Sequence, residues 1–183
     1  MKSLPLTISS LLLVLFLSLC SFELIAQSTL PNYRMEFEFW DSQGVLRDTM
    51  MSRIKFKKWS ESPNYPTYVK WKDLPFAVNH SSIDGVGLFC DSTHNFSANQ
   101  VIGFAFIKKK DTGHFSVDYL ETNAGSFINN SDTPNAQVEL SEQGVVIRAI
   151  STITPLSEIT VSYQALIDLF QGDPEVVQAV KYW

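Results

Sequence analysis

Apolar and polar residues alternate from residue 32 onward, and this pattern predicts a chain built mainly of short β-strands. The clearest run has an apolar side chain at every second position, with charged residues between: Tyr33, Met35, Phe37 and Phe39. A period of two is typical of a strand with one buried and one solvated face. Further extended segments are predicted over residues 45–48, 52–59, 67–71, 87–90, 105–108, 136–140 and 145–149. The predicted fold class is mainly β.

Helical patterns are confined to the C-terminal end. Asp173 is a good N-cap and Pro174 fits the first turn of a helix, with Val176, Val177 and Val180 on one apolar stripe. A shorter helical turn is predicted over residues 166–170.

The chain divides into four predicted segments. Residues 60–66 contain two prolines, an asparagine and two serines, which indicates a loop and the internal boundary. With 183 residues, the chain is long enough for one domain with accessory segments. The segments are a signal-like stretch (1–27), a strand-rich extension (32–60), the main domain (67–164) and a helical tail (165–183).

The first 27 residues resemble a secretory signal. Lys2 supplies a positive charge, an apolar run extends over residues 11–19, and Ala26 offers a weak cleavage site. Cys20 raises the alternative of a lipoprotein, and an uncleaved membrane anchor is a third possibility. The segment predicts a secreted, periplasmic or membrane-tethered protein, with any membrane association confined to this stretch. If the segment is not used, the protein is cytoplasmic.

Composition narrows the classes of partner. The net charge of −5 argues against direct nucleic-acid binding, which needs a basic face. Two cysteines are too few for a zinc site built from cysteine, and no metal site is predicted. The basic clusters at residues 53–58 and 108–110 are expected to be solvated strand edges or turns.

Three motifs occur in a fixed order: IDGVGLF at residues 83–89, FINNSDTPN at 127–135 and SEITVSY at 157–163. Together they resemble the signatures of SET-domain proteins, the protein-lysine methyltransferase family, and in particular its small stand-alone members. The resemblance covers about residues 74–164. It implies a SET-like fold of several short strands and small sheets, in which a threaded C-terminal segment brings the second and third motifs together.

The resemblance also implies an activity and a site. It implies transfer of a methyl group from S-adenosylmethionine to a lysine of a protein or peptide. Tyr163 is the implied catalytic residue, with its hydroxyl at the junction of methyl donor and acceptor amine. The implied cofactor-binding residues are Gly85, Val86, Gly87, Asn129 and Asn130.

Each of these residues also has a plainer interpretation. The glycine pair can form a β-turn without a ligand, residues 129–132 can be a polar turn, and Tyr163 can be a packed core tyrosine. Asn130 stands where the family has histidine, and Leu156 stands where it has glycine. Four aromatic residues are candidate channel walls, although ordinary core packing is the better interpretation: Phe115, Tyr119, Tyr182 and Trp183.

The N-terminal segment conflicts with an enzyme of this kind, because S-adenosylmethionine is made in the cytosol. The alternative function is therefore a non-catalytic, secreted or membrane-tethered β-rich binding module on a SET scaffold. A third possibility is that the resemblance of the motifs is accidental.

Overall fold

A computed structural model describes residues 35–43, 45–62, 65–66, 68–72 and 74–181. The first sheet is antiparallel and contains β1 (Met35–Trp40), β2 (Leu46–Met51), β3 (Val69–Trp71), β4 (Phe76–His80) and β5 (Val86–Cys90). Its strand order is β2-β1-β3-β4-β5. The strands β4 and β5 form a hairpin in which His80 faces Val86 and Phe76 faces Cys90.

The second sheet is also antiparallel and has four strands in the described part of the chain. They are β6 (Val101–Lys108), β7 (Tyr119–Glu121), β9 (Ala136–Ser141) and β10 (Gly144–Ala149), in the order β7-β6-β10-β9. Two very short strands, β8 (Asn129–Asn130) and β11 (Thr160–Val161), form a separate parallel pair. These sheets confirm the predicted mainly β fold.

The helices are short: α1 (Arg53–Ser60), α2 (Phe115–Asp118), α3 (Tyr163–Leu169) and α4 (Pro174–Val180), with a 3-10 turn at Gly125–Phe127. The predicted cap of α4 is confirmed, because the Asp173 carboxylate accepts from the Glu175 backbone N–H at 2.8 Å. Val176 and Val180 are buried on its apolar stripe. Among the helices of the described residues, none is long and apolar enough to cross a membrane.

An aromatic cluster joins the two sides of the predicted boundary at residues 60–66. The ring centroid of Phe56 lies 4.3 Å from that of Phe37 and 5.2 Å from that of Phe127. Phe37 also stacks on Trp71 at 5.7 Å. Since β1 pairs with β3 as well as β2, the described part of the predicted extension lies within the first sheet and its core.

The prediction of an extended segment at residues 52–59 is wrong, because Arg53–Ser60 is a helix. The sequence there alternates briefly, but Phe56 and Trp59 are three residues apart and their rings meet at 5.7 Å. Spacings of three and four residues put side chains on one face of a helix. The strand β4, which has three buried residues, was not predicted at all.

Candidate functional site

The C-terminal segment before Tyr163 runs between two strands of the molecule. On one side it pairs with β5, where Ile159 N donates to Leu88 O at 2.7 Å and Cys90 N donates to Ser157 O at 2.9 Å. On the other side Thr160 and Val161 pair in parallel with β8. The second and third motifs, which are far apart in the sequence, therefore lie next to each other.

Asn135, the last residue of the second motif, holds this segment in register. Its Nδ2 donates to Glu158 O at 2.7 Å, and its Oδ1 accepts from Thr160 N at 3.0 Å. One side-chain amide thus satisfies two backbone groups of the passing segment. From the sequence, Asn135 was recognised only as the last residue of the second motif, and no role was predicted for it.

Asn129 lies at the centre of the site, with 8% of its surface exposed. Its Nδ2 donates to Glu158 Oε1 at 2.8 Å and to Asp84 O at 3.2 Å, with a longer contact to Val86 O at 3.4 Å. The side chain therefore ties β8 to the glycine loop and to the C-terminal segment at once. The predicted cofactor-binding residues Gly85, Val86 and Asn129 are brought together.

The two glycines of the loop differ in what surrounds them. Gly85 has φ +45°, and apart from its chain neighbours none of the described residues lies within 4 Å of the position that a Cβ would take. At Gly87 a Cβ would lie 2.8 Å from Glu158 Cδ and 3.1 Å from Asn129 Nδ2, and would also collide with Glu158 Oε1. Gly87 therefore makes room for the protein's own carboxylate, while the loop is open at Gly85.

Glu158 links this cluster to the turn between β4 and β5. Its Oε1 and Oε2 accept from the Ser81 hydroxyl at 2.8 and 3.0 Å. The same Ser81 oxygen accepts from the backbone N–H of Ile83 at 2.9 Å and of Asp84 at 3.3 Å. The carboxylate thus fixes the loop that carries both glycines. Glu158 belongs to the third motif, but the sequence alone gave it no role.

Tyr163 begins α3, and its ring packs against the core. Its hydroxyl donates to the carbonyl of Ile128, the residue before Asn129, at 2.8 Å. Burial, reinforced by the carboxylates of Asp84 and Glu121, raises the pKa of Tyr163 to about 12. The phenol therefore stays protonated at neutral pH, and it can act through hydrogen bonds but not as a phenolate base.

Asn130, the residue after Asn129, binds the backbone of Tyr163. Its Oδ1 accepts from the backbone N–H of Tyr163 at 2.9 Å, which satisfies a donor in the first turn of α3. Asparagine supplies an acceptor oxygen at the position where the family has histidine. All six predicted site residues consequently lie on one continuous set of contacts.

Two of the four candidate channel walls, Phe115 and Tyr119, pack in an aromatic cluster. Phe115 is 6% exposed and stacks on Tyr119 with ring centroids 5.0 Å apart. Phe170 meets both rings, at 4.9 and 5.2 Å. These three rings form an ordinary aromatic cluster between α2, β7 and the end of α3. Tyr182 and Trp183 lie outside the described residues.

The family model for the SET domain matches residues 19–164 of the chain. The chain belongs to the SET-domain family. This finding confirms the resemblance seen in the three motifs, together with the predicted SET-like fold.

Two solved methyltransferase structures are similar to this SET protein. One is a candidate histone methyltransferase of Plasmodium falciparum, 22% identical, with 50% of this chain and 94% of that chain covered and a TM-score of 0.40. The other is the methyltransferase domain of human PR domain-containing protein 2, 12% identical, with 48% and 75% covered and a TM-score of 0.37. A search of the curated proteins found no match.

Proposed function

We propose that this SET protein transfers a methyl group from S-adenosylmethionine to a lysine of a protein or peptide. The single observation that carries the proposal is the meeting of three motif elements at one place: the glycine loop, Asn129 and Tyr163. Holding reactants in a fixed geometry supplies much of the rate in such a transfer. The family membership supports the same function.

The residues present fit the proposed donor. Beside Gly85 the described part of the chain, apart from the glycine's neighbours, places no atom within 4 Å of the position of a Cβ, so a ligand can approach the backbone there. Next to it Asn129 offers a side-chain amide that is fixed by three contacts to protein oxygens. When bound, S-adenosylmethionine supplies a methyl group on a positively charged sulfur.

Tyr163 is proposed to align the acceptor amine. A hydroxyl that donates its proton to a carbonyl, as this one does to Ile128 O, retains oxygen lone pairs that can accept a hydrogen bond from an amine. With a pKa raised to about 12, the phenol keeps its proton over the whole neutral range. Its contribution is therefore orientation and polarisation rather than removal of a proton.

The charge around the phenol supports a basic acceptor. The carboxylates of Asp84 and Glu121 contribute, after burial, to the raised pKa of Tyr163, so two negative charges lie near the phenol. A negative potential concentrates cationic groups such as lysine side chains near the site. Methyl transfer itself needs the neutral amine, because an ammonium has no lone pair.

Two measurements test the proposal. Calorimetric titration of the purified protein with S-adenosylmethionine is expected to show binding; the absence of heat at millimolar donor would contradict it. Labelled methyl transfer is then measured onto lysine-containing peptides and onto the same peptides with every lysine replaced by arginine. Methyl transfer is expected only to the peptides that contain lysine. Equal labelling of the lysine and arginine peptides would refute lysine as the acceptor.

A second candidate function is a non-catalytic, secreted or membrane-tethered binding module. The signal-like sequence of residues 1–27 favours it, because an exported protein would meet little S-adenosylmethionine. Cell fractionation separates the two candidates. An intact protein in the cytosol is expected for the enzyme, and a processed protein outside the cytosol favours the binding module.

A further inference from the structure

We propose that a cleft beside Asp91 binds a free α-amino acid in its zwitterionic form. Asp91 follows the Cys90 end of β5, whereas the glycine loop precedes the other end, so this site is separate from the proposed donor site. The cleft has a volume of about 410 Å³, and small-molecule sites commonly have volumes of this order. Its lining includes residues of β1, β3 and the connections after β3 and β5: Glu38, Lys70, Lys72, Leu74, Pro75 and Asp91.

The charged side chains of the cleft are of both signs. Lys70 and Lys72 supply two ammonium groups, and Glu38 and Asp91 supply two carboxylates. Covering charged groups with an apolar ligand is costly, and the balance of signs gives no net preference for a plain anion or a plain cation. The lining therefore suits a small molecule that carries both charges.

The half-buried Glu38 is the acid of the cleft that has no counter-charge. Lys70 lies directly opposite it on β3, but the Lys70 ammonium pairs with Asp91 at 3.4 Å. On β2 the residue opposite Glu38 is a second acid, Asp48, and like charges in this position are destabilising. Among the described residues none forms an ion pair or hydrogen bond with the Glu38 carboxylate. The ammonium group of a ligand would supply the missing positive charge.

The two lysines provide the positive side of the cleft. The side chains of Lys70 and Lys72 are 30% and 36% exposed, so a small solute can reach them. An ammonium group has three N–H donors, and Lys70 therefore keeps donors beyond its ion pair with Asp91. Asp91 is only 2% exposed and has its own partners within the protein, so it repels a ligand carboxylate weakly.

The spacing of these charges matches an α-amino acid. Side chains directly opposite each other in antiparallel strands have Cβ atoms about 4.5–5.5 Å apart, so one small molecule can reach both Glu38 and Lys70. The ligand's ammonium then pairs with Glu38 and its carboxylate with Lys70 and Lys72. Leu74 and Pro75 line the same cleft and offer apolar surface to the ligand's side chain.

NMR titration of the purified full chain with each of the twenty L-amino acids tests the site. At least one is expected to bind with a Kd of about 1 mM or tighter. Its addition should shift the backbone amide signals of Glu38, Lys70, Lys72 and Asp91. No shifts at these residues with any of the twenty, or shifts confined to the glycine loop at residues 83–87, would overturn the proposal.

Two derivatives of the amino acid that binds most tightly test whether both charges are recognised. The amino acid amide keeps the ammonium and lacks the carboxylate, and the N-acetyl derivative keeps the carboxylate and lacks the ammonium. Each should bind at least about tenfold more weakly than the parent, as for a lost hydrogen bond to a charged group. Affinity equal to the parent for either derivative would refute recognition of two charges.

Glu38→Gln tests the ammonium contact, because it removes the charge and keeps the shape of the side chain. The parent amino acid and its amide should bind about tenfold more weakly to this variant, and the N-acetyl derivative should lose less than about twofold. The matched control is Asp48→Asn, which removes the acid opposite Glu38 without altering a lining residue. The control should keep the affinity within about twofold; an equal loss in both variants would contradict a direct contact.

Two features of the design keep the outcome unambiguous. Denaturant unfolding of both variants is expected to match the wild type, so that a lost affinity reports the cleft and not the fold. None of the measurements uses S-adenosylmethionine or methyl transfer, and their result is therefore independent of the proposed function.

Discussion

The two ends of strand β5 each hold a carboxylate network, and the two networks are built differently. At the Gly87 end, Glu158 comes from the C-terminal segment and binds Ser81 and Asn129. At the Cys90 end, Asp91 follows the strand directly and is 2% exposed. Both networks join distant parts of the chain, but they differ in whether their members belong to the family motifs.

The Asp91 carboxylate has several partners within the protein. Its carboxylate accepts from the Tyr68 hydroxyl at 2.5 Å and the Thr93 hydroxyl at 2.7 Å, and it lies 3.4 Å from Lys70 Nζ. Burial alone would raise the pKa of Asp91, but these hydrogen bonds and the lysine outweigh it and hold the pKa to about 2. These contacts tie β3 and the residue before it to the residues that follow β5.

The Glu158 network instead includes Asn129, one of the proposed donor-binding residues. The comparison shows that a buried or half-buried carboxylate is not in itself a sign of a functional site. What distinguishes the Glu158 network is that its members come from all three family motifs. Substitutions in the two networks should therefore separate donor binding from stability.

The largest effect is expected for Tyr163→Phe, which tests the proposed catalytic residue directly. Loss of the hydroxyl should lower turnover at least about 100-fold, comparable to removing one preorganised polar group from an active site. Affinity for S-adenosylmethionine should change by less than about threefold, because the ring still packs. Turnover is measured by labelled methyl transfer and affinity by calorimetry. If this variant turned over at the wild-type rate, the Tyr163 hydroxyl would have no part in the reaction.

Gly87→Ala should disturb the Glu158 network by steric overlap. The added methyl group displaces the Glu158 carboxylate from Ser81 and Asn129, at a cost of about 1–3 kcal/mol in unfolding free energy and with loss of donor affinity. Gly113→Ala is the matched control. Its φ of +84° is strained for alanine, but none of the described residues beyond its chain neighbours lies within 4 Å of the added Cβ. The control should lose stability and keep donor affinity; equal donor loss in both would contradict the steric explanation.

Asp91→Asn should affect stability alone. A pKa lowered from its ordinary value of 3.8 to about 2 corresponds to about 2 kcal/mol of unfolding free energy at neutral pH. Since the folded pKa is the lower one, this contribution is present above about pH 4 and is lost as the pH falls towards about 2. Denaturant unfolding of both proteins at several pH values measures it. A difference that grows on acidification, or a loss of donor binding, would contradict the comparison.

The smallest effect is expected for Leu156→Gly, in the turn that leads into the C-terminal segment. Leu156 has φ +62° and is 55% exposed, so its backbone is strained and its side chain gains little burial. Glycine relieves the strain but is more flexible when unfolded, so stability should rise by at most about 1 kcal/mol. Thermal unfolding measures the change. Asn99→Gly, at φ +68°, should give less, because asparagine tolerates this conformation; marked destabilisation by Leu156→Gly would show that the leucine packs usefully.

Local patterns were sufficient to predict much of the fold. The period of two in β1, the turn residues between strands and the Asp173–Pro174 start of α4 all act over a few residues. The helix α1 escaped prediction because Ile54 and Phe56 imitate strand alternation over a short stretch. The strand β4 has buried residues in succession, and such a run does not reveal its period.

The site was predicted through the family motifs rather than through periodicity. The motifs named the residues that meet, but not the contacts between them. Glu158 and Ser81 are 77 positions apart, and Asn135 reaches the backbone of a segment 23 positions away. Such pairings depend on how the C-terminal segment passes between β5 and β8, which no local pattern encodes.

A structure of the protein with S-adenosylmethionine bound tests the central claim most directly. The account predicts the donor beside the loop at Gly85 and Asn129, with its methyl group facing the Tyr163 hydroxyl. A donor bound elsewhere on the protein, or an Asn129 amide turned away from it, would contradict the account.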